Sequence, residues 1–502
     1  MKWCMWKLLP YACLCSHIWA GSNQSVPQDA SSLLVACRDG HSRDVQAQLD
    51  ACPRLANHAF ATGSPGQKFT ALSVASAYGR GDVVRRLLAA GADTDGNYCA
   101  VITPLMLACA CGSGELYSYL LSALRGSLSP DYIESMSENE PQEEGSYRHC
   151  LRLLIDAGAD INATDGKGRG ALYFAAEQGN CAVLSLLTER GARVDGWSSY
   201  RNDPLCIATE EGHRACVRIL LAARAPLIKD RSHQYSALHL AAQRGHADIL
   251  ELLLQHDNSV DTVNTPLLAT PLLIAAMCGR VSCMRVLLGA GADVDLPDKN
   301  GCTPLYCAAF FGQSQAVALL AKKGAKVNGW HSWQTDPLCA AVSEGRVGCV
   351  RELLVAGATV VTGKGIGPWV LHLAVLKGYV EIVALLVAQR DCVDAENTVT
   401  SKSPLMIASE KGDEFCVSIL LDAGANINRS DSSGRTALHH AVARGHLAVV
   451  AVLLGRGASR HHRDARGETP LMTAREHGYE NLVPLLLDGE PRLGGSGAGA
   501  AA

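Results

Sequence analysis

Apolar positions along this chain follow a helical rhythm that restarts every 33 or 34 residues. Thirteen leucines mark it: Leu33, Leu72, Leu105, Leu172, Leu205, Leu238, Leu272, Leu305, Leu338, Leu371, Leu405, Leu438 and Leu471. Only the steps from Leu33 to Leu72 and from Leu105 to Leu172 are longer. Three residues after each leucine stands an alanine (Ala36 through Ala474), and seven after it a glycine (Gly40 through Gly478). Leucine and alanine three apart share one face of a helix, and the glycine ends that helix in a tight reversal. Apolar residues then recur at i, i+3 and i+4, as in Val84, Leu87 and Leu88, which predicts a second helix. In seven units a Ser, Thr or Asp followed by proline precedes the anchor, from Thr103-Pro104 to Thr469-Pro470. Such a residue caps the first helix with its side-chain oxygen, and proline is preset for the first turn. Gly91, Gly158, Gly191, Gly291, Gly324, Gly357, Gly424 and Gly457 close second helices. Arg224, Asp257 and Arg390 replace that glycine elsewhere, and there the turn geometry is expected to depart.

The unit T-P-L-x-x-A-x-x-x-G with a downstream L-L-x-x-G-A resembles the ankyrin repeat, over residues 31 to about 487. The resemblance implies an all-α solenoid of about thirteen stacked helix-turn-helix units joined by projecting hairpin turns. The Leu33 unit lacks Thr-Pro and is expected to cap the array. A longer period overlies the short one: residues 194–206, with Trp197 and Tyr200, recur 133 residues on as 327–339, with Trp330 and Trp333. A four-repeat block was duplicated, and the array is expected to be continuous.

Three segments fall outside the pattern. Residues 1–30 are expected to be a leader or a disordered segment; the first twenty carry Lys2, Lys7, a short apolar run and Ala20-Gly21, the outline of a secretory signal interrupted by Pro10 and tryptophans. The Leu105 unit holds 34 extra residues, with an acidic stretch near 126–146. Either it is a loop between the two helices of one repeat, or it is the remnant of a repeat that lost its first helix. Residues 488–502 are a Gly/Ala tail of low complexity.

Composition narrows the function classes. A net charge of −4 gives no bias toward nucleic acid or membrane, and no run is long and apolar enough to span a bilayer. Twenty cysteines would suit a secreted disulfide framework, but Cys150, Cys283 and Cys416 share one repeat position, as do Cys216 and Cys349, which marks reduced core residues. His239, His372 and His439 follow the anchor leucine and are expected to bond structurally. Gly363-Lys364-Gly365-Ile366-Gly367 lacks the ending of a phosphate loop. No catalytic constellation emerges, and no cofactor or metal is expected.

The resemblance implies binding of protein partners, through the concave face of first helices and the hairpin tips, by a monomeric, non-enzymatic, cytoplasmic scaffold. The alternatives are a substrate adaptor of a ubiquitin-ligase-type complex or a secreted ankyrin protein. Candidate partner-binding residues are Trp197, Tyr200, Arg201, Trp330, His331 and Trp333, placed where other units carry small polar turn residues; packing onto neighbouring repeats is the alternative role. Ser129, Ser135 and Ser137 in the acidic stretch are candidate phosphorylation sites. Asn162, Asn328 and Asn428 hold turn positions at which asparagine hydroxylation is found in similar proteins.

Overall fold

The computed structural model describes residues 28–61, 68–95, 102–110, 144–195, 203–227, 236–257, 259–264, 267–328, 336–360, 370–389, 393–395 and 401–487. The chain divides into two compact units, Met1–Arg193 and Val194–Ala502. In the first, Gln28–Asp39 pairs with Ser42–Ala51, Ala71–Ala77 with Gly81–Ala89, Pro104–Cys109 with Glu144–Asp156, and Ala171–Glu177 with Cys181–Glu189. The second holds nine such pairs among its described residues, from Pro204–Glu210 with Arg214–Ala222 to Pro470–Glu476 with Val483–Leu487. Within each unit first helices pack on first helices and second on second, so each is a stack of two-helix layers. The anchor leucines and the alanines that follow lie between layers, as with Leu305 and Ala308, both without exposed surface.

Local chemistry sets each layer. At all seven Pro-bearing units the capping side chain accepts from the amide three residues on, at 2.8–3.4 Å. Cys150, Cys216, Cys283, Cys349 and Cys416 are buried in the second helices. The Cys283 and Cys349 thiols donate to Ala241 O and Ala308 O of the preceding repeat, and burial pushes both up to about 11.

Two ladders that identity patterns do not reveal tie repeat to repeat. In the first, a side chain eight residues after the anchor donates to a carbonyl at the end of the preceding first helix. Arg80 reaches Arg38 O (2.6 Å), His246 Glu210 O (3.2 Å), Arg280 Gln243 O (3.1 Å), Gln313 Met277 O (3.4 Å), Arg346 Phe310 O (3.3 Å) and His446 Glu410 O (3.0 Å). Each fills an acceptor that a helix C-terminus leaves open, and the arginines also meet the negative end of its dipole. Where Asp413 takes this position and cannot donate, it caps its own helix at Cys416 N, and Lys411 supplies the donor to Leu376 O. The ladder explains the glycine at +7: a Cβ on Gly345, whose φ is +67°, would stand 2.9 Å from the Tyr379 ring of the next repeat. In the second ladder a turn Asn or Asp accepts from a backbone amide of the next repeat. Asn57, Asp95, Asn162, Asp295, Asn328, Asp394 and Asn428 all do so, at 2.6–3.0 Å.

The first ladder also decides what the long insertion is. Tyr147 Oη donates to Ala77 O at 3.3 Å, and its ring lies over Gly79, the position that the +8 side chain takes elsewhere. Glu144–Asp156 is therefore the second helix of the repeat that Pro104–Cys109 begins, and the extra residues lie between two helices of one repeat. That second helix begins at Glu144, and the first helix of the array at Gln28.

The other long step, after Leu33, holds a 3-10 turn at Pro53–Asn57 and a two-residue antiparallel ladder, Phe60–Ala61 with Lys68–Phe69, a small β element within the all-α array. Where Arg224 replaces the closing glycine the left-handed turn persists (φ +63°), whereas Asp257 is extended and lets its helix run one residue further. Arg390 lies outside the described residues.

Candidate protein-binding surface

The histidines that could do chemistry hold the fold instead. His239 Nδ1 accepts from Ser236 N and lies 2.7 Å from Ser236 Oγ, while Nε2 is 3.1 Å from Ala269 O, just before the cap of the next repeat. His439 does the same with Thr436 and Glu468 O, and His372 Nε2 meets Lys402 O at 3.0 Å. Burial lowers the pKa of His239 to about 4 against the pull of its backbone partners, so the ring is neutral and donates from Nε2. Burial lowers His372 and His439 likewise. The turn asparagines Asn162, Asn328 and Asn428 are engaged as acceptors in the second ladder, and Asn328 Nδ2 also donates to Gly357 O at 2.8 Å.

What remains outward-facing on the first helices of the second unit is uneven. Most repeats carry polar or charged residues five and six positions after the anchor: Glu210 and Glu211, Gln243 and Arg244, Glu410 and Lys411. In the middle these positions turn apolar, with Met277 and Cys278 partly buried, Phe310 half-buried, Phe311 44% exposed and Leu376 51% exposed. Tyr306 stacks on Phe310 (centroids 6.1 Å, planes 20° apart), and Phe310 meets Phe311 edge-on at 5.2 Å. Met277, Cys278, Cys302 and Tyr306 rest on a buried cluster of Ala269, Leu273, Ile274 and Cys307. Leu267 and Leu268 continue the apolar surface at the adjoining turn, where Leu268 holds a left-handed φ of +53°.

Charge is sorted around this island. Toward the C-terminus, exposed Lys377, Lys411 and Arg444 occupy the same position in three consecutive repeats. Burial alone would raise the Glu410 carboxyl, but Lys402 at 2.6 Å and Arg444 at 3.0 Å hold it down to about 2. Glu410 and the helix-capping Asp413 are thus committed to internal partners. Toward the N-terminus, Arg244 is paired with Glu210, beside exposed Glu211.

The tryptophan-bearing turns, with Trp197, Tyr200, Arg201, Trp330, His331 and Trp333, lie outside the described residues, as do Ser129, Ser135 and Ser137 and the glycine-rich 363–367 stretch. Sequence reasoning missed the aromatic island because Phe310, Phe311 and Leu376 sit in helices whose other apolar residues are core. Comparing the +5 and +6 positions across repeats is the signal that separates them. Among the described residues no three His, Cys, Asp or Glu side chains converge as a metal site, and no helix is long and apolar enough to cross a membrane.

Comparison with known proteins agrees with the geometry. The family model described as "Ankyrin repeats (3 copies)" matches six overlapping stretches that together span 142–496. Human "Ankyrin repeat and SOCS box protein 6" is 42% identical over 74 residues, 14% of this chain and 18% of that protein. The Arabidopsis thaliana "E3 ubiquitin-protein ligase KEG" is 31% identical over 218 residues, 34% of this chain and 13% of that protein. The Mus musculus "B-cell lymphoma 3 protein homolog" is 30% identical over 186 residues, 36% of this chain and 42% of that protein. Each match spans less than half of the relative's own length. The family is built for protein–protein interaction, and its repeats are in general non-catalytic. With its helix pairs, its caps and its matched repeats, this chain belongs to the ankyrin-repeat family.

Proposed function

We propose that this chain is a non-enzymatic scaffold that holds partner proteins along the row of first helices and at the turn tips. The observation that carries this reading is how the reactive side chains are used. His239, His372 and His439 are buried and bonded to the next repeat, while exposed apolar and cationic groups such as Phe311, Leu376, Lys377 and Lys411 gather on the first helices of the second unit. Such a surface binds by area and charge rather than by chemistry. Buried, unbridged cysteines such as Cys307 and Cys339 fit a reducing, cytoplasmic setting. The similarity to a SOCS-box protein and to a ubiquitin ligase favours a second reading, a substrate adaptor in a ubiquitin-ligase-type complex.

The test compares proteins captured from lysate by the intact chain and by a Trp197→Ala/Trp330→Ala variant of equal stability. Loss of a specific partner would place binding at the tips. Unchanged capture would leave the first-helix row as the binding face, and no specific capture by either would count against the scaffold reading. Ubiquitin-ligase subunits among the captured proteins would favour the adaptor.

A further inference from the structure

We propose that the first helices from the Leu305 to the Leu438 repeat bind an acidic peptide segment of a partner protein. Aromatic or large aliphatic anchors of that segment seat on Phe310, Phe311 and Leu376, and its carboxylates lie against Lys377, Lys411 and Arg444. This deepens the scaffold reading and rests on its assignment of the first helices as a binding face.

The apolar half of the site follows from side-chain size. At the fifth position after the anchor, neighbouring repeats present Phe310, then Ser343, then Leu376. Their helices, Pro304–Phe311, Pro337–Ser343 and Val370–Lys377, pack side by side in that order. The small Ser343 thus lies between two larger apolar residues, which leaves them accessible to an inserted side chain. The ridge is not left over from the core, because Phe311 and Leu376 keep 44% and 51% of their surface exposed in a complete helix pair. Rings already stacked on one another also lose little conformational freedom when a partner covers them.

Charge selects the occupant. Lys411 donates to Leu376 O, which fixes its ammonium beside the apolar ridge, and Lys377 follows Leu376 directly. Two carboxylates of the Leu405 repeat, Glu410 and Asp413, are held by Lys402 and Arg444 and by the Cys416 amide. Glu344 holds the same position in the intervening repeat, exposed between Phe311 and Lys377, so the carboxylates of the segment belong on the C-terminal side of its anchor, against Lys377, Lys411 and Arg444. The outward field over the Leu371 to Leu438 repeats is thus positive on a chain whose net charge is −4. A second copy of this chain would bring the same lysines against each other, whereas an acidic segment is complementary. From the Leu305 to the Leu438 repeat there are four helix-to-helix steps, roughly 35 Å in all. About 11 residues of extended chain cover that distance.

The test is to pan a random 12-residue peptide library, displayed on phage, against the intact chain and to measure enriched peptides by fluorescence anisotropy. The expected result is enrichment of peptides with an aromatic or leucine anchor and two or more carboxylates on one side of it. Affinity should fall at least tenfold in Phe311→Ser/Leu376→Ser, at least tenfold in Lys377→Glu/Lys411→Glu, and with added salt. Both variants change exposed groups; Lys411→Glu also removes the donor to Leu376 O and is expected to melt lower, so a cooperative melt well above the assay temperature confirms that each folds. Peptides that bind equally well to both variants would overturn the proposal while leaving the scaffold reading intact. Enriched peptides without carboxylates would overturn the charge assignment and with it the proposal. Failure to enrich any peptide would also overturn it, and lysate capture then decides separately whether the scaffold reading stands. A dimer in sedimentation that Phe311→Ser/Leu376→Ser converts to monomer would identify a second copy as the occupant and overturn the proposal.

Discussion

Acidification should loosen the array at its buried histidines, and His239 allows the effect to be worked out. Its folded pKa is lowered from 6.5 to about 4, chiefly by burial, so the unfolded chain takes up a proton that the folded one refuses. The stability this contributes is fully present above pH 6.5 and is lost as pH falls from 6.5 toward 4. Between pH 7 and pH 5 the loss is about 2 kcal/mol, and below pH 4 it approaches about 3 kcal/mol. The structural cause is specific: protonating Nδ1 puts a hydrogen where Ser236 N–H already donates, which breaks the cap of helix Ala237–Arg244. Because a repeat array opens locally, the assay is amide hydrogen exchange of residues 237–256, followed by mass spectrometry, at pH 7 and pH 5 after correction for intrinsic rates. His239→Gln should lower the pH 7 protection and remove about 2 kcal/mol of the pH dependence in this segment. An equal pH dependence in wild type and His239→Gln would refute the reasoning and shift the effect to His372, His439 or His440.

Further outcomes follow from the two ladders. Asn328→Ala removes hydrogen bonds to Thr359 N and Gly357 O and should cost about 1–2 kcal/mol, measured as the urea midpoint of the Val194–Ala502 unit in the full chain. Gly345→Ala meets both a left-handed backbone and the Tyr379 ring, and its melting temperature should fall more than that of Arg346→Ala, which loses one bond worth about 1 kcal/mol. Deleting residues 126–143 should leave the thermal midpoint within about 2 °C, since loop length changes closure entropy only slowly. Tyr147→Ala, at a side chain 2% exposed, should cost about 3 kcal/mol in the same melt.

The sequence made the layers legible because their requirements are met by residue identity. Only leucine and alanine at fixed spacing fit between stacked helices, only a short side-chain oxygen caps, and glycine recurs where the next repeat's side chain lies close. The ladders were hidden because they require a function rather than an identity. Arg346, Gln313 and His446 share only reach and a donor, and Asp413 fails at the same place while Lys411 replaces it. Tyr147 was hidden further by the insertion that separates it from its own anchor. The aromatic island stayed hidden because Phe310 and Leu376 look like the buried residues beside them; their exposure depends on which face the +5 and +6 positions turn outward. The tryptophan turns drew attention because large aromatics at turn positions are conspicuous in one dimension.

The most direct test of where this chain binds uses a photocrosslinking benzoylphenylalanine in place of Phe311 or of Phe415. Phe415 is 74% exposed on the second-helix side, more than Phe311 at 44%, so exposure alone favours it. Illumination in lysate should yield discrete partner adducts from position 311 and none from position 415. Adducts from 415 alone, or equally from both, would contradict the assignment of the first-helix row as the partner-binding face.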